Sequence, residues 1–201
     1  MKSGNRVDLE ELIPNKSEFR LLIVKPRKED TMKESEEWLA HEDMTCKPGR
    51  VARLDWLASL TPEAEYLTFP AGLTAKYLFE EARYSFVYGQ FLASILLGFV
   101  FIEMTLAAWF YMSGRNDLER ATVSRLLSEA EATGWLSEDE CNRIENIRRN
   151  RNPVTHFRAP LAADSVEYRA VNTNDHPYSV IEEDARDVMA TAMHVLGRNA
   201  V

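Results

Sequence analysis

The sequence predicts an all-α protein, a helical bundle preceded by an N-terminal extension that includes one short strand. Residues 72–113 carry helical apolar spacing almost without a break. Ser137 and Glu140 stand three positions apart in a capping-box pattern, which opens a further helix. The 201 residues, 45% of them hydrophobic, are enough to bury a core and too few for more than two domains.

Composition and charge restrict the class of protein. The net charge is −8, so an overall basic surface for nucleic acid is absent and any RNA contact must come from a local patch. Cys46 and Cys141 are too few for a disulfide framework or a Cys-based metal site. The first residues lack the apolar segment of a secretory signal. We therefore expect a cytoplasmic protein in a reducing compartment.

Residues 1–65 form the predicted extension, which we interpret as an embellishment or a partner-binding surface. The apolar run 19–24 predicts a short strand. Residues 27–43 hold seven acids against three basic residues, which favours a solvated face or a loop over a binding tail. Helical spacing follows over residues 51–60, and Pro62 is placed to begin another helical turn.

Residues 66–201 form the predicted helical domain, and its most apolar segment is Phe91–Met112. That segment is long enough to span a bilayer. However, Glu103 near its middle would be costly in lipid, and most of the chain is polar. We therefore expect a buried core helix and no membrane attachment. Residues 72–113 are predicted to form either two helices with a kink near Gly89 or one long helix.

The elements after this segment follow from caps and breakers. A helix is predicted over 117–132 and stops at Gly134, a helix-terminating residue type. The capping box then opens a helix over 137–150. Residues 159–178 are predicted to form a loop or a short hairpin. A second capping-box pattern begins at residue 179 and opens a final helix to about residue 196.

The four histidines do not form a metal motif, because no two are spaced as ligands on one helix. No glycine-rich phosphate loop is present either, so we expect no metal and no cofactor. His194 is predicted to be structural, His41 to lie at the surface and His176 to lie in a turn. His156 differs from these three in its neighbours.

An arginine cluster surrounds His156. Residues 143–158 contain five arginines against one acid, Glu145. Arginine gives planar, bidentate donors to phosphate, and histidine titrates unaided near neutral pH. Together they are sufficient to cleave RNA without a metal: histidine acts on the 2′-hydroxyl or the leaving 5′-oxygen, and arginine stabilises the phosphorane. The candidate RNA-binding arginines are Arg143, Arg148, Arg149 and Arg158.

Pro153 affects how the arginine and the histidine are placed. Proline disfavours helical geometry at the preceding Asn152 and removes a backbone donor. The helix is therefore expected to kink or end between Arg151 and His156. In a straight helix, residues five apart point about 140° away from each other, so such a break would bring His156 toward Arg151.

The run Arg151-Asn152-x-x-x-His156 resembles the Arg-x4–6-His motif of HEPN domains (higher eukaryotes and prokaryotes nucleotide-binding). The resemblance covers roughly residues 70–200, with the motif late in a helical bundle and after a long apolar helix. It implies a metal-independent endoribonuclease that leaves 2′,3′-cyclic phosphate, with Arg151, Asn152 and His156 as catalytic residues. A rival match at Arg169 and His176 lies in a loop-like stretch.

The resemblance also implies partners. HEPN ribonucleases work as homodimers in which two motifs form one composite site, and they occur in toxin–antitoxin modules, abortive infection and CRISPR effectors. We therefore expect an RNA substrate such as tRNA or mRNA, a homodimer, and an antitoxin or another antiviral defence protein as partner. Members regulated by a nucleotidyltransferase antitoxin carry Tyr two residues after the histidine. This chain has Arg158 there, so that regulation is not supported.

Several alternatives stay open. Glu103 could support the site by orienting Arg151 or His156, or it could form an interhelical salt bridge with an arginine such as Arg125. Asn152 could position the phosphate or cap the helix. At the level of function, one alternative is a non-catalytic HEPN-like module that binds RNA or nucleotide or assembles a complex. The other is a non-enzymatic helical protein whose arginines solvate a helix end.

Overall fold

The computed structural model describes residues 31–64, 66–159 and 161–199, which contain seven α-helices and no strand. The all-α prediction is therefore confirmed for this part of the chain, and the predicted strand at 19–24 lies outside it. The helices are α1 Thr31–Leu60, α2 Gly72–Val87, α3 Phe91–Met112, α4 Val123–Ala132, α5 Glu138–Thr155, α6 Val166–Thr173 and α7 Pro177–Gly197.

The chain divides into two compact units, Met1–Thr45 and Cys46–Val201. In the first unit the described residues form the start of α1, and the side chains of residues 33–45 are exposed, as a solvated acidic face requires. The loop alternative for this stretch is wrong from Thr31 onward. The second unit begins at Cys46, within the predicted extension, and holds the rest of α1 with the other six helices.

The most apolar helix, α3, lies at the centre of the second unit against α2, α5 and α7. Phe91 at its start contacts Tyr178 at the start of α7, with ring centroids 5.1 Å apart. Near its end, the indole Nε1 of Trp109 donates to Asn199 Oδ1 at 2.7 Å, just past the end of α7. The two helices therefore run parallel. Ten α3 residues are buried: Phe91, Ser94, Ile95, Gly98, Phe99, Phe101, Ile102, Thr105, Leu106 and Phe110.

Close packing of α3 and α7 depends on Gly98. A Cβ at this position would lie 2.6 Å from Val188 Cγ1, which is shorter than real carbon contacts allow. Among the described helices, α3 is also the one long and apolar enough to cross a bilayer, and half of its most apolar window is buried in the bundle. Its position at the centre of the bundle is the one expected for a core helix.

A tight turn at Gly89 separates α2 from α3, so the single long helix considered above is wrong. Gly89 has φ +77°, a conformation that glycine adopts without strain. Tyr178 donates its hydroxyl to the Gly89 carbonyl at 2.8 Å, and Arg53 Nε donates to the Val87 carbonyl at 3.0 Å. These two side chains fix the reversal of the chain between the helices.

Three local predictions fail. Pro62 begins no helix, since residues 61–64 are irregular. Residues 166–173, expected in a loop or hairpin, form α6, whose N-terminus is capped by Ser165 Oγ accepting from the Tyr168 N–H at 3.1 Å. The final helix begins at Pro177 rather than at residue 179, because His176 Nδ1 accepts from the Tyr178 N–H at 3.1 Å and caps it.

Two other boundaries follow local chemistry. The predicted helix over 117–132 is replaced by a 3-10 turn at Asn116–Leu118 followed by α4. The capping box at Ser137 is confirmed: the Glu140 N–H donates to Ser137 Oγ at 3.3 Å, and the Ser137 N–H donates to Glu140 Oε2 at 2.7 Å. This box fixes the start of α5, the helix that carries the motif.

Candidate functional site

The motif lies at the C-terminal end of α5. The buried side chains of Cys141, Ile144 and Ile147 attach this helix to the core. It continues through Pro153 and ends at Thr155, five residues beyond the predicted end. His156 then adopts extended backbone, with φ −131° and ψ 134°. The expected break between the arginine and the histidine is therefore confirmed as a helix end.

The guanidinium group of Arg151 has a defined position. Its central carbon lies 4.8 Å from the centroid of the Phe99 ring on α3, in a cation–π contact. Nη1 lies 3.5 Å from both Asn152 Oδ1 and Thr155 Oγ1. Arg151 is half-buried. The packing directs its charge toward the residues that immediately precede His156.

The imidazole of His156 is exposed, and among the described residues no hydrogen bond or ion pair engages it. Its backbone N–H donates to the Asn152 carbonyl at 3.0 Å, which holds the start of the extended segment. By contrast, His176 caps α7 and His194 Nε2 lies 2.6 Å from Glu140 Oε1. His156 is thus the histidine beside the arginine cluster that is free to meet a substrate.

Asn152 is half-buried next to Arg151. The capping interactions at this helix end go to its backbone carbonyl, which accepts from Thr155 Oγ1 at 3.1 Å as well as from the His156 N–H. Its side-chain oxygen instead faces Arg151 Nη1. No described residue accepts a hydrogen bond from the side-chain nitrogen of Asn152, so this amide can donate to a ligand.

The arginine cluster is partly neutralised by acids. Arg148 Nη2 and Arg149 Nε lie 2.6 and 3.3 Å from Glu145 Oε1. Arg148 lowers the pKa of that carboxyl by hydrogen bonding, so Glu145 stays charged. Arg158 Nε lies 2.7 Å from Asp164 Oδ2. The patch is less positive than the sequence count of five arginines against one acid indicates.

Arg143 lies nearer the start of α5, where its charge interacts with Asp187 of α7. Burial raises the pKa of Asp187, Glu183 and Asp184 raise it further, and Arg143 opposes them. The charge of Arg143 therefore acts on Asp187 across the contact between α5 and α7, and it is the smallest of these effects. Of the candidate RNA-binding arginines, it lies earliest on the helix and farthest along the chain from His156.

Glu103 is half-buried on α3, four residues after Phe99. Within the described part of the chain it forms no ion pair with either expected partner. Arg151 packs on Phe99, and Arg125 Nη2 lies 3.5 Å from Asp117 Oδ2. Helical spacing places Glu103 on one face with four half-buried apolar residues, which we call the α3 outer face: Leu96, Val100, Met104 and Ala107.

A buried ion pair, which the sequence did not reveal, supports the motif. Asp184 of α7 is 5% exposed. It accepts from Arg169 Nη1 and Nη2 at 2.8 and 2.5 Å and from Asn150 Nδ2 at 2.9 Å. These bonds join α5, α6 and α7 directly beside Arg151. The rival arginine of the sequence match therefore has a structural role, and the rival His176 is a helix cap.

The opposite end of α5 is held by Glu140. Burial raises the pKa of this carboxyl, but hydrogen bonds from the Ser137 N–H, His194 and the Ser137 hydroxyl, with the charge of Arg198, bring it down to about 2. Glu140 therefore stays ionised at physiological pH. Both ends of the motif helix are thus anchored to the rest of the bundle.

In residues 31–64, 66–159 and 161–199, no cluster of three or more His, Cys, Asp or Glu side chains is arranged to hold a metal ion. Comparison with known protein families, with curated proteins and with solved structures found no match to this chain.

Proposed function

We propose that this protein is a HEPN-type, metal-independent endoribonuclease that acts in the cytoplasm as a toxin or an anti-phage defence effector. One observation carries the proposal. Arg151 is held against Phe99 with its guanidinium near Thr155. The imidazole of His156, which follows Thr155, is exposed and has no hydrogen bond to any described residue. A fixed cation beside a free acid–base group suits phosphodiester cleavage.

The order of the helices supports a HEPN-like bundle. A long apolar helix, α3, is followed by the connecting α4, the motif helix α5 and the closing α7. The motif lies where α5 ends, beside the middle of α3. This is the order that the resemblance implies, and it places Arg151 and His156 at the surface of the bundle rather than inside it.

The proposed chemistry uses the 2′-hydroxyl of RNA as the nucleophile. A base removes the hydroxyl proton, the 2′-oxygen forms a bond to the adjacent phosphorus, and the bond from phosphorus to the 5′-oxygen breaks. An acid protonates the leaving 5′-oxygen, which gives a 2′,3′-cyclic phosphate and a 5′-hydroxyl. His156 supplies the proton transfer, Arg151 stabilises the charged phosphorane, and the amide of Asn152 helps to hold the phosphate.

Proton removal and proton donation call for two groups, and one chain supplies one motif histidine. A two-fold dimer would bring two copies of His156 and Arg151 together. The α3 outer face offers apolar surface for such a contact, because Leu96, Val100 and Met104 are only half-buried. Glu103 lies on the same face, where an acid reduces repulsion between two arginine clusters.

The first prediction concerns this dimer. We expect a dimer in sedimentation velocity at micromolar concentration, weaker at low salt without RNA and tighter with RNA. Val100→Asp should shift the protein toward monomer and reduce cleavage in parallel, because it places a charge in the apolar contact. Leu73→Asp changes a residue that is already 68% exposed on α2, and should do neither. A monomeric wild type that is fully active would overturn the composite site.

The second prediction tests the reaction. Purified protein incubated with total RNA in EDTA should cut the RNA, because the proposed step uses only side chains of the protein: His156, Arg151 and Asn152. Cleavage that depends strictly on Mg²⁺ or Mn²⁺ would contradict the mechanism. Binding of RNA without any cleavage, under all conditions, would instead support the non-catalytic module.

A further inference from the structure

Phe157, directly after the motif histidine, projects into solvent. It is 89% exposed, the highest value among the large hydrophobic side chains of the described residues. An exposed phenyl ring keeps apolar area in water and contributes no packing energy. A single exposed apolar residue is ordinary on a protein surface, but this one adjoins the proposed catalytic group.

The backbone on either side of Phe157 is nevertheless fixed. The His156 N–H donates to the Asn152 carbonyl at 3.0 Å. Arg158 Nε donates to Asp164 Oδ2 at 2.7 Å, and Arg158 Nη1 donates back to the Phe157 carbonyl at 3.4 Å. The ring is therefore presented by an anchored segment. Ordering it on a ligand would cost little backbone entropy.

We propose that Phe157 is a stacking platform for an unpaired RNA base next to the phosphate held at Arg151 and His156. The inference rests on the proposed ribonuclease function and adds the substrate class, single-stranded RNA. Bases stack on aromatic side chains wherever a strand is unpaired, while paired bases are stacked on one another. The platform thus selects loops and single strands over duplex.

Charge favours RNA over a second copy of this chain as the occupant. The ring is flanked by His156 and Arg158, and Arg148, Arg149 and Arg151 lie within one to three turns on α5. In the proposed dimer a second copy brings its own cations toward this surface. A phosphate chain between the two arginine clusters neutralises them, whereas closer contact between the two copies at the ring would add repulsion. The strand would then place phosphates on the arginines and a base on the ring.

The test measures binding separately from cleavage. In a His156→Ala background, which leaves oligoribonucleotides intact, Phe157→Ala should weaken binding of a single-stranded oligoribonucleotide by about 5- to 150-fold, the range for one lost stacking contact. Phe157→Trp should keep the affinity, since any aromatic ring can stack. Tyr168→Ala, which removes another exposed aromatic side chain, is the matched control and should change nothing.

An abasic oligonucleotide makes the test specific for stacking. Each nucleotide is replaced in turn by an abasic one. At one position we expect the protein with Phe157 to bind the oligonucleotide no more tightly than the Phe157→Ala variant does. Equal affinity of Phe157→Ala and its parent, or a loss that is the same at every abasic position, would overturn the platform. A change of oligomeric state in Phe157→Ala would assign the ring to protein contact and also overturn it. Stacking without cleavage by the wild type would keep the platform and reject the catalytic proposal.

Discussion

His156→Ala and Arg151→Ala are each expected to abolish RNA cleavage while the helical fold persists. Loss of a positioned acid–base group commonly costs about 10²–10⁴ in rate, and loss of one charge-stabilising donor about 10²–10³. Arg151→Lys should recover part of the rate, because it keeps the charge and loses the planar, bidentate donors. The measurements are cleavage rates at saturating RNA, with circular dichroism to verify the fold.

Arg149 provides the matched control on the same helix. Six residues separate it from His156, so it too satisfies the motif spacing. Its side chain is 69% exposed and pairs with Glu145, whereas Arg151 is held on Phe99. Arg149→Ala should weaken RNA binding modestly and leave the rate at saturation unchanged. An inactive Arg149→Ala beside an active Arg151→Ala would show that Arg149 is the arginine of the site.

Arg169→Ala is expected to be the most destabilising of these substitutions. It would leave the Asp184 carboxylate buried with only Asn150 as a partner. Breaking a buried pair from one side costs about 3–5 kcal/mol. In a protein of this size the melting temperature should fall by roughly 6–20 °C. Thermal and chemical denaturation of the purified variant measure this directly.

A double variant separates the ion pair from simple loss of packing. Arg169→Met combined with Asp184→Leu removes both charges and should recover much of the stability, because no unpaired charge is left in the interior. His176→Ala removes only a helix cap and should cost about 1 kcal/mol. An unchanged melting temperature for Arg169→Ala would mean that the buried pair does not form. Because Arg169→Ala is expected to destabilise the fold, loss of cleavage in this variant bears on catalysis only if the fold is shown to be intact.

The sequence predicted those elements whose signals are local. The capping box at Ser137 and the helix break after Pro153 depend on residues within one turn, and both are confirmed. The start of α7 was misplaced because His176, an uncommon capping residue, takes the role usually held by Ser, Thr, Asp or Asn. The helix α6 was missed because its eight residues make only about two turns, too few for helical spacing to be told from the alternation of a strand.

The parts of the site that could not be predicted depend on tertiary contacts. Asp164 follows Arg158 by six residues but lies beyond the end of α5, and Asp187 is distant in sequence from Arg143, the arginine whose charge acts on it. The pairing of Arg169 with Asp184 requires the packing of α6 on α7, which no sequence pattern fixes. One signal was available. Asp184 lies at helical spacing with the apolar Ile181 and Val188, which predicts an acidic side chain on the buried face of α7.

The most direct test of the central claim uses a substrate that lacks one oxygen atom. The cleavage site is first mapped on an oligoribonucleotide in EDTA, and the same oligonucleotide is then made with a single 2′-deoxynucleotide immediately 5′ to the cut. The proposed mechanism predicts 2′,3′-cyclic phosphate and 5′-hydroxyl ends on the all-ribose strand, and no cleavage at the substituted position. Cleavage at the deoxy position, or a 5′-phosphate on the product, would show that the 2′-hydroxyl is not the nucleophile and would contradict the account.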